Sequence, residues 1–128
     1  MQEHHNFEYA VIRIVPQVER EEFLNVGVVL YCQKHKFLQV KYTLDDQRLL
    51  ALNSKASTGE IRAHLEAYRK IAEGDKEAGP IACLDISTRF RWLTAKRSTV
   101  VQSSAVHPGL CVDPAATLEK LHQQLVLL

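Results

Sequence analysis

Between Tyr9 and Cys32 the chain reads YAVIRIVPQVEREEFLNVGVVLYC, two apolar runs around a proline and an acidic knot. Phe7 to Val15 predicts a strand, with Tyr9, Val11 and Val15 on one face and Ala10, Ile12 and Ile14 on the other. Only Arg13 interrupts it, so both faces are apolar and the strand belongs at the centre of a sheet. Pro16 has no N–H to give a ladder, and pairing should stop there. Gln17 to Asn25, with Glu19, Arg20, Glu21 and Glu22 in succession, reads as a solvated turn. The sharper alternative brings Glu22 or Asn25 to the rim of a site. Val26 to Gln33 predicts a second two-sided strand, Val26, Val28, Leu30 and Cys32 against Val29 and Tyr31. Gly27 inside it signals a bulge or, more simply, room for a bulky neighbour across the sheet.

Beyond a turn at Lys34 to Lys36 the pattern changes. Phe37 to Thr43 alternates, Leu38, Val40 and Tyr42 inward and Gln39, Lys41 and Thr43 outward, as in a strand with one wet face nearer a sheet edge. Asp45 to Leu52 predicts a short helix. Ser57 to Glu73 predicts a longer one, capped by Ser57 or Thr58 and closed by Gly74. Ile61, Leu65, Tyr68 and Ala72 make its buried stripe; Glu66 and Lys70 form a pair on the other side, and His64 beside the stripe is structural. After a loop at Lys76 to Pro80, Asp85 to Thr94 fits two patterns. A strand would put Arg89 and Arg91 on one face. A helix would put Ile86, Phe90 and Leu93 on one stripe, and it is preferred because Asp85 or Ser87 can cap it. Ser98 to Gln102 predicts a fourth strand, and Ser103 to Val112, with His107-Pro108-Gly109, a loop. Asp113 caps a last helix with Pro114 at its first position, burying Leu118, Leu121, Leu125 and Leu128.

Strands come first, helices follow and one strand returns late. The expected fold is therefore α+β: a single domain over residues 1–128, with an antiparallel sheet of about four strands and helices packed on it. Met1 to Asn6 is expected to be a flexible tail. The two long helices mainly cover one face of that sheet, which is the reason to expect a homodimer.

Composition adds bounds. At 128 residues the chain can build a core without staples. Its apolar runs are too short to span a membrane, and no secretion signal is expected, since no basic region followed by an apolar core is visible at the N-terminus. Cys32, Cys83 and Cys111 are odd in number and far apart, which points to a reducing compartment. The sequence has no Gly-rich phosphate loop, no His-Glu-x-x-His and no nucleophile elbow. His107 and Cys111 supply two ligands where structural zinc wants four, so neither a metal nor a cofactor is expected.

Charge distribution singles out one segment. From Ile86 to Val112 there is no acidic residue, while Arg89, Arg91, Lys96 and Arg97 fall close together around Trp92, the sole tryptophan. Ser98 and Thr99 add hydroxyls. Arginine presents a planar fork to phosphate or carboxylate oxygens, and tryptophan stacks on bases or guanidinium groups. Arg89, Arg91, Trp92, Lys96, Arg97 and Ser98 are the candidate ligand-binding residues. The structural alternative has Arg89 or Arg97 paired with the Glu19 to Glu22 knot.

Several spaced motifs carry a family resemblance: Glu22-Phe23 with Asn25-Val26-Gly27, Arg89-Phe90-Arg91-Trp92-Leu93, Arg97-Ser98-Thr99, and Val106-His107 with Gly109. In their order and spacing the chain resembles the small bacterial proteins of domain of unknown function 3037. Lys96 departs from the pattern, which expects proline before the Arg-Ser-Thr motif. The resemblance implies a cytoplasmic bacterial protein and, as a partner, a HipA-like kinase; it brings no activity. Two functions are weighed. One is a non-catalytic binding or regulatory module whose arginine-rich segment holds an anionic ligand, nucleic acid or an acidic protein surface. The other is an enzyme acting on a phosphate ester, with His107 as general acid or base, Glu22 as its carboxylate, and Arg89 and Arg97 as charge stabilisers. The enzyme needs Glu22, His107 and the arginines to converge.

Overall fold

The long first strand organises the sheet. In a computed structural model, which describes residues 3–127, β1 spans His5–Ile14, β2 Leu24–Cys32 and β3 Phe37–Tyr42. Five strands pair, all antiparallel. The order is β3-β2-β1, and the far edge of β1 carries two short strands in tandem. β4, Val101–Ser103, pairs with Ile12 to Ile14; β5, His107–Cys111, pairs with His5 to Tyr9. The two-sided apolar strands are thus central and the alternating one is at an edge, as expected. His5 and Asn6, expected in the tail, are strand residues opposite Cys111 and Leu110; Met1 and Gln2 lie outside the described residues.

Gly27 serves both purposes that its place suggests. A Cβ there would sit 2.8 Å from the Lys41 carbonyl oxygen and 2.8 Å from the Tyr42 Cβ, so the close neighbour across the sheet requires glycine. The register also slips beside it: Ile12 faces Gly27 but Arg13 faces Asn25, leaving Val26 as the extra residue of a bulge. The bulge turns Val26 to the face of Val29 and Tyr31, not to the face of Val28, Leu30 and Cys32 that uninterrupted alternation predicts.

The helices close the two faces. α1 is Asp46–Leu52, α2 Thr58–Glu73, α3 Ile86–Leu93 and α4 Pro114–Leu125. The larger core joins Ala10, Ile12, Ile14, Val29 and Tyr31 to Leu65 and Tyr68 of α2 and to Phe90 and Leu93 of α3. Phe90 stacks on Tyr31 with ring centroids 5.1 Å apart. On the other face Phe7, Val28, Leu30, Cys32 and Cys111 pack beneath Leu118 and Val126. The face expected to need a second copy is therefore covered by α4. Each such side chain taken from water contributes about 1.5–3 kcal/mol.

The stripe of α2 holds as expected, with Ile71 added, and Gly74 ends the helix in the left-handed region at φ 75°. His64 of this helix is exposed, and Glu66 pairs with Arg69, not Lys70. That pairing, with the Tyr42 hydroxyl donating to it, holds the Glu66 carboxyl down at about 2. In α3, Asp85 is the cap, accepting from the Thr88 N–H at 3.3 Å.

Three expectations need correction. The buried stripe of α4 is Pro114, Leu118 and His122, continued by Val126; Leu121 and Leu125 are half-buried, and Leu128 lies outside the described residues. His122 is tolerated inside because its Nε2 lies 3.0 Å from the Thr43 hydroxyl, and burial pushes its pKa down, favouring the neutral ring. The fourth strand starts three residues later than Ser98. The expected loop contains β5 instead. Pro108 costs that strand little because an edge position has one unpaired side. Gly109 is required there, since a Cβ would lie 2.5 Å from the Phe7 ring that packs over it.

Candidate functional site

The four cations of the late segment do not form one surface. Arg89 sits between α3 and the end of α2. Its guanidinium donates to the Leu84 carbonyl at 2.6 Å and to the Ala72 carbonyl at 3.2 Å, the latter one of those that the end of α2 leaves free. Arg91 reaches back to β1 and grips both carboxylate oxygens of Glu8, at 2.9 and 2.8 Å. That carboxylate raises its pKa. Neither pairs with the acidic knot, where Arg20 instead pairs with Glu22.

Lys96 and Arg97, in the loop between α3 and β4, differ. Neither enters an ion pair among the described residues. Both line a cavity of about 350 Å³ with Ser98, Gln102 and, from β1, Arg13. Register explains the meeting, because Gln102 is the partner of Arg13 across the β1–β4 ladder. The Arg13 guanidinium lies over the Phe23 ring, 4.0 Å from its centroid, and its Nε is buried without a hydrogen-bond partner among the described residues. Arg97 lies 4.4 Å from the Trp92 ring centroid and donates to the Trp92 carbonyl. Glu21, the only carboxylate on this cavity among the described residues, has a left-handed backbone, φ 59°. Three cations thus face one carboxylate. Donors of this kind, planar forks beside a mobile ammonium and a hydroxyl, suit the oxygens of a phosphate or carboxylate.

Of the expected ligand-binding residues the structure gathers Lys96, Arg97 and Ser98 here, with Trp92 behind Arg97. It places Arg89 and Arg91 elsewhere. Arg13 and Phe23 were not foreseen. The signal for Arg13 was present, a lone charge in a strand otherwise apolar on both faces.

Glu22 and His107 do not meet. Glu22 lies past the Ile14–Leu24 end of the hairpin, on a separate cavity with Leu50 to Lys55. His107 is opposite Tyr9 and against its ring, at 5.3 Å between centroids. Tyr9 and Ile14 are five residues apart, about 17 Å at ~3.3 Å per strand residue. Asn25 also serves the fold, its amide donating to the Leu125 carbonyl at 3.3 Å. No three His, Cys, Asp or Glu side chains gather as a metal site among the described residues. No helix among them is long and apolar enough to cross a membrane.

Fold and cavity together define a single-domain α+β protein with a helix-covered antiparallel sheet and a basic cradle at one sheet edge. The chain belongs to the family described as protein of unknown function (DUF3037), which matches residues 9–126, nearly its whole length. No curated protein and no solved structure matches it.

Proposed function

We propose that the protein is a non-catalytic binding module whose cradle of Arg13, Lys96, Arg97 and Ser98 holds one anionic group of a ligand. The observation that carries this reading is convergence. Three cations from two segments more than eighty residues apart share one cavity, and none of them has an ion-pair partner among the described residues. Uncompensated cations held this close repel one another, and an anion between them relieves that repulsion. A single phosphate or carboxylate suits the cradle better than a nucleic-acid backbone. Glu21 lines it as well, and a run of phosphates would meet that carboxylate.

Calorimetric titration with inorganic phosphate tests the proposal. Saturable binding is expected, weakened about tenfold or more by Arg13→Gln or Lys96→Ala, as loss of one charge-assisted contact implies. The affinity should fall with added salt. Wild-type protein that binds neither phosphate nor a tricarboxylate such as citrate would end this reading. Tighter binding to a duplex, with a log–log salt slope of several units, would replace the single anion by nucleic acid.

A further inference from the structure

A second cavity lies on the other side of the β4 edge. Val101 pairs with Ile14 on the face that α2 covers, whereas Gln102 pairs with Arg13 on the face of the cradle. This cavity measures about 470 Å³, a size usual for small-molecule sites. Tyr68 and Ile71 of α2 line it together with Val100 and Val101 beside β4 and with Trp92 and Arg97. Its polar groups are largely engaged elsewhere. The Tyr68 hydroxyl donates to the Leu93 carbonyl at 2.6 Å, and the Thr99 hydroxyl to the Val101 carbonyl at 2.8 Å. No carboxylate of the described residues lines it. Arg97 is its one fixed charge, with one N–H on the Trp92 carbonyl and no ion-pair partner among the described residues.

An apolar slot with an aromatic side and a single guanidinium at its mouth selects a ligand with two matching parts. We propose that this cavity binds a small aryl carboxylate, its ring between Trp92 and the Ile71–Val101 walls and its carboxylate on Arg97. A neutral aromatic of the same shape would bury the same surface but leave Arg97 unpaired. A simple inorganic anion would gain nothing from the walls. The site needs neither Arg13 nor Lys96 but shares Arg97 with the phosphate cradle, so loss of Arg13 or Lys96 separates the two sites and loss of Arg97 does not.

Trp92 is the sole tryptophan, so its indole N–H gives one resonance in a ¹⁵N spectrum and reports on the cavity directly. The probes are 2-naphthoate and its neutral counterpart, 2-naphthalenemethanol. The expected result is a saturable shift of that resonance with naphthoate, and about tenfold or more weaker binding of the alcohol. Arg97→Gln should erase the preference, Arg97→Lys should keep part of it, and Arg13→Gln should leave naphthoate binding intact. Ala67→Phe, on the exposed side of α2 where it lines the cavity, should block both probes. Equal affinity of the two probes for the wild type would overturn the proposal even if Arg97→Gln failed to fold. So would the absence of a saturable shift, or loss of naphthoate binding in Arg13→Gln, which would assign the carboxylate to the cradle.

Discussion

Arg89 and Arg91 sit in α3; Lys96 and Arg97 follow within one short loop. In sequence they form one basic cluster, yet in space they divide. The first two are held by the fold, Arg89 on the Ala72 and Leu84 carbonyls and Arg91 on Glu8. The second two share a cavity with Arg13 and have no ion pair among the described residues. The helix makes the difference. Its geometry aims Arg89 at the end of α2 and Arg91 at β1, while the chain beyond Leu93 turns away along the sheet edge. Density of charge along a sequence therefore measures opportunity, and the groups that meet it decide which cations remain free for a ligand.

The largest test of this division is Arg89→Ala. Two hydrogen bonds from a charged donor to carbonyls would be lost at the joint between α2 and α3. A cost of about 1.5–3 kcal/mol is expected, which for a domain of this size lowers Tm by roughly 5–10 °C. Phosphate affinity should not change once the variant is folded. If Arg89→Ala melts like the wild type and loses phosphate binding, the assignment of this residue to the fold is wrong.

Arg91→Ala should do much less. Its pair with Glu8 is bidentate but lies on the surface, with the side chains 55% and 33% exposed. Exposed pairs contribute about 0–1 kcal/mol, and salt screens them. Chemical denaturation at low and high ionic strength should show a small deficit that shrinks with salt. The double variant with Glu8→Gln should be no less stable than Arg91→Ala alone. A deficit above about 2 kcal/mol, insensitive to salt, would mean that the contact of the Arg91 guanidinium with the Phe90 ring, 5.3 Å from its centroid, matters more than the pair with Glu8.

The sequence shows the middle of this molecule well and its edges poorly, for one physical reason. Central elements carry their burial in their own residues: Ala10 to Val15 on two faces, Gly27 under Tyr42, and Ile61, Leu65, Tyr68 and Ala72 at helical spacing. Edge elements depend on what lies beside them. Pro108 and Gly109 look like breakers until Phe7 covers the glycine and the open edge spares the proline its missing N–H. Likewise His122 breaks the leucine pattern of α4, and only Thr43 across the contact explains why it is inside. The candidate site was half legible. Lys96, Arg97 and Ser98 stand out as a local cluster, but Arg13 joins them only through the pairing of Arg13 with Gln102, which no local pattern contains.

The smallest expected change in stability, and the one that discriminates most, belongs to Lys96→Ala. Lys96 is exposed and in no ion pair among the described residues, so removing its side chain should alter stability by no more than about 0.5 kcal/mol. Loss of self-repulsion with Arg13 and Arg97 opposes any loss of stability. The same change should weaken phosphate binding about tenfold, and Lys96→Glu should abolish it by placing a second carboxylate beside Glu21. The two variants together separate charge from shape, because both remove the ammonium and only one reverses the field. If phosphate binds Lys96→Glu as well as wild type, the anion is held elsewhere, and the cradle is a gap between loops. If binding falls in the order wild type, Lys96→Ala, Lys96→Glu while Tm stays level, the free pair of cations is the functional one. Arg89 and Arg91 then belong to the scaffold that aims it.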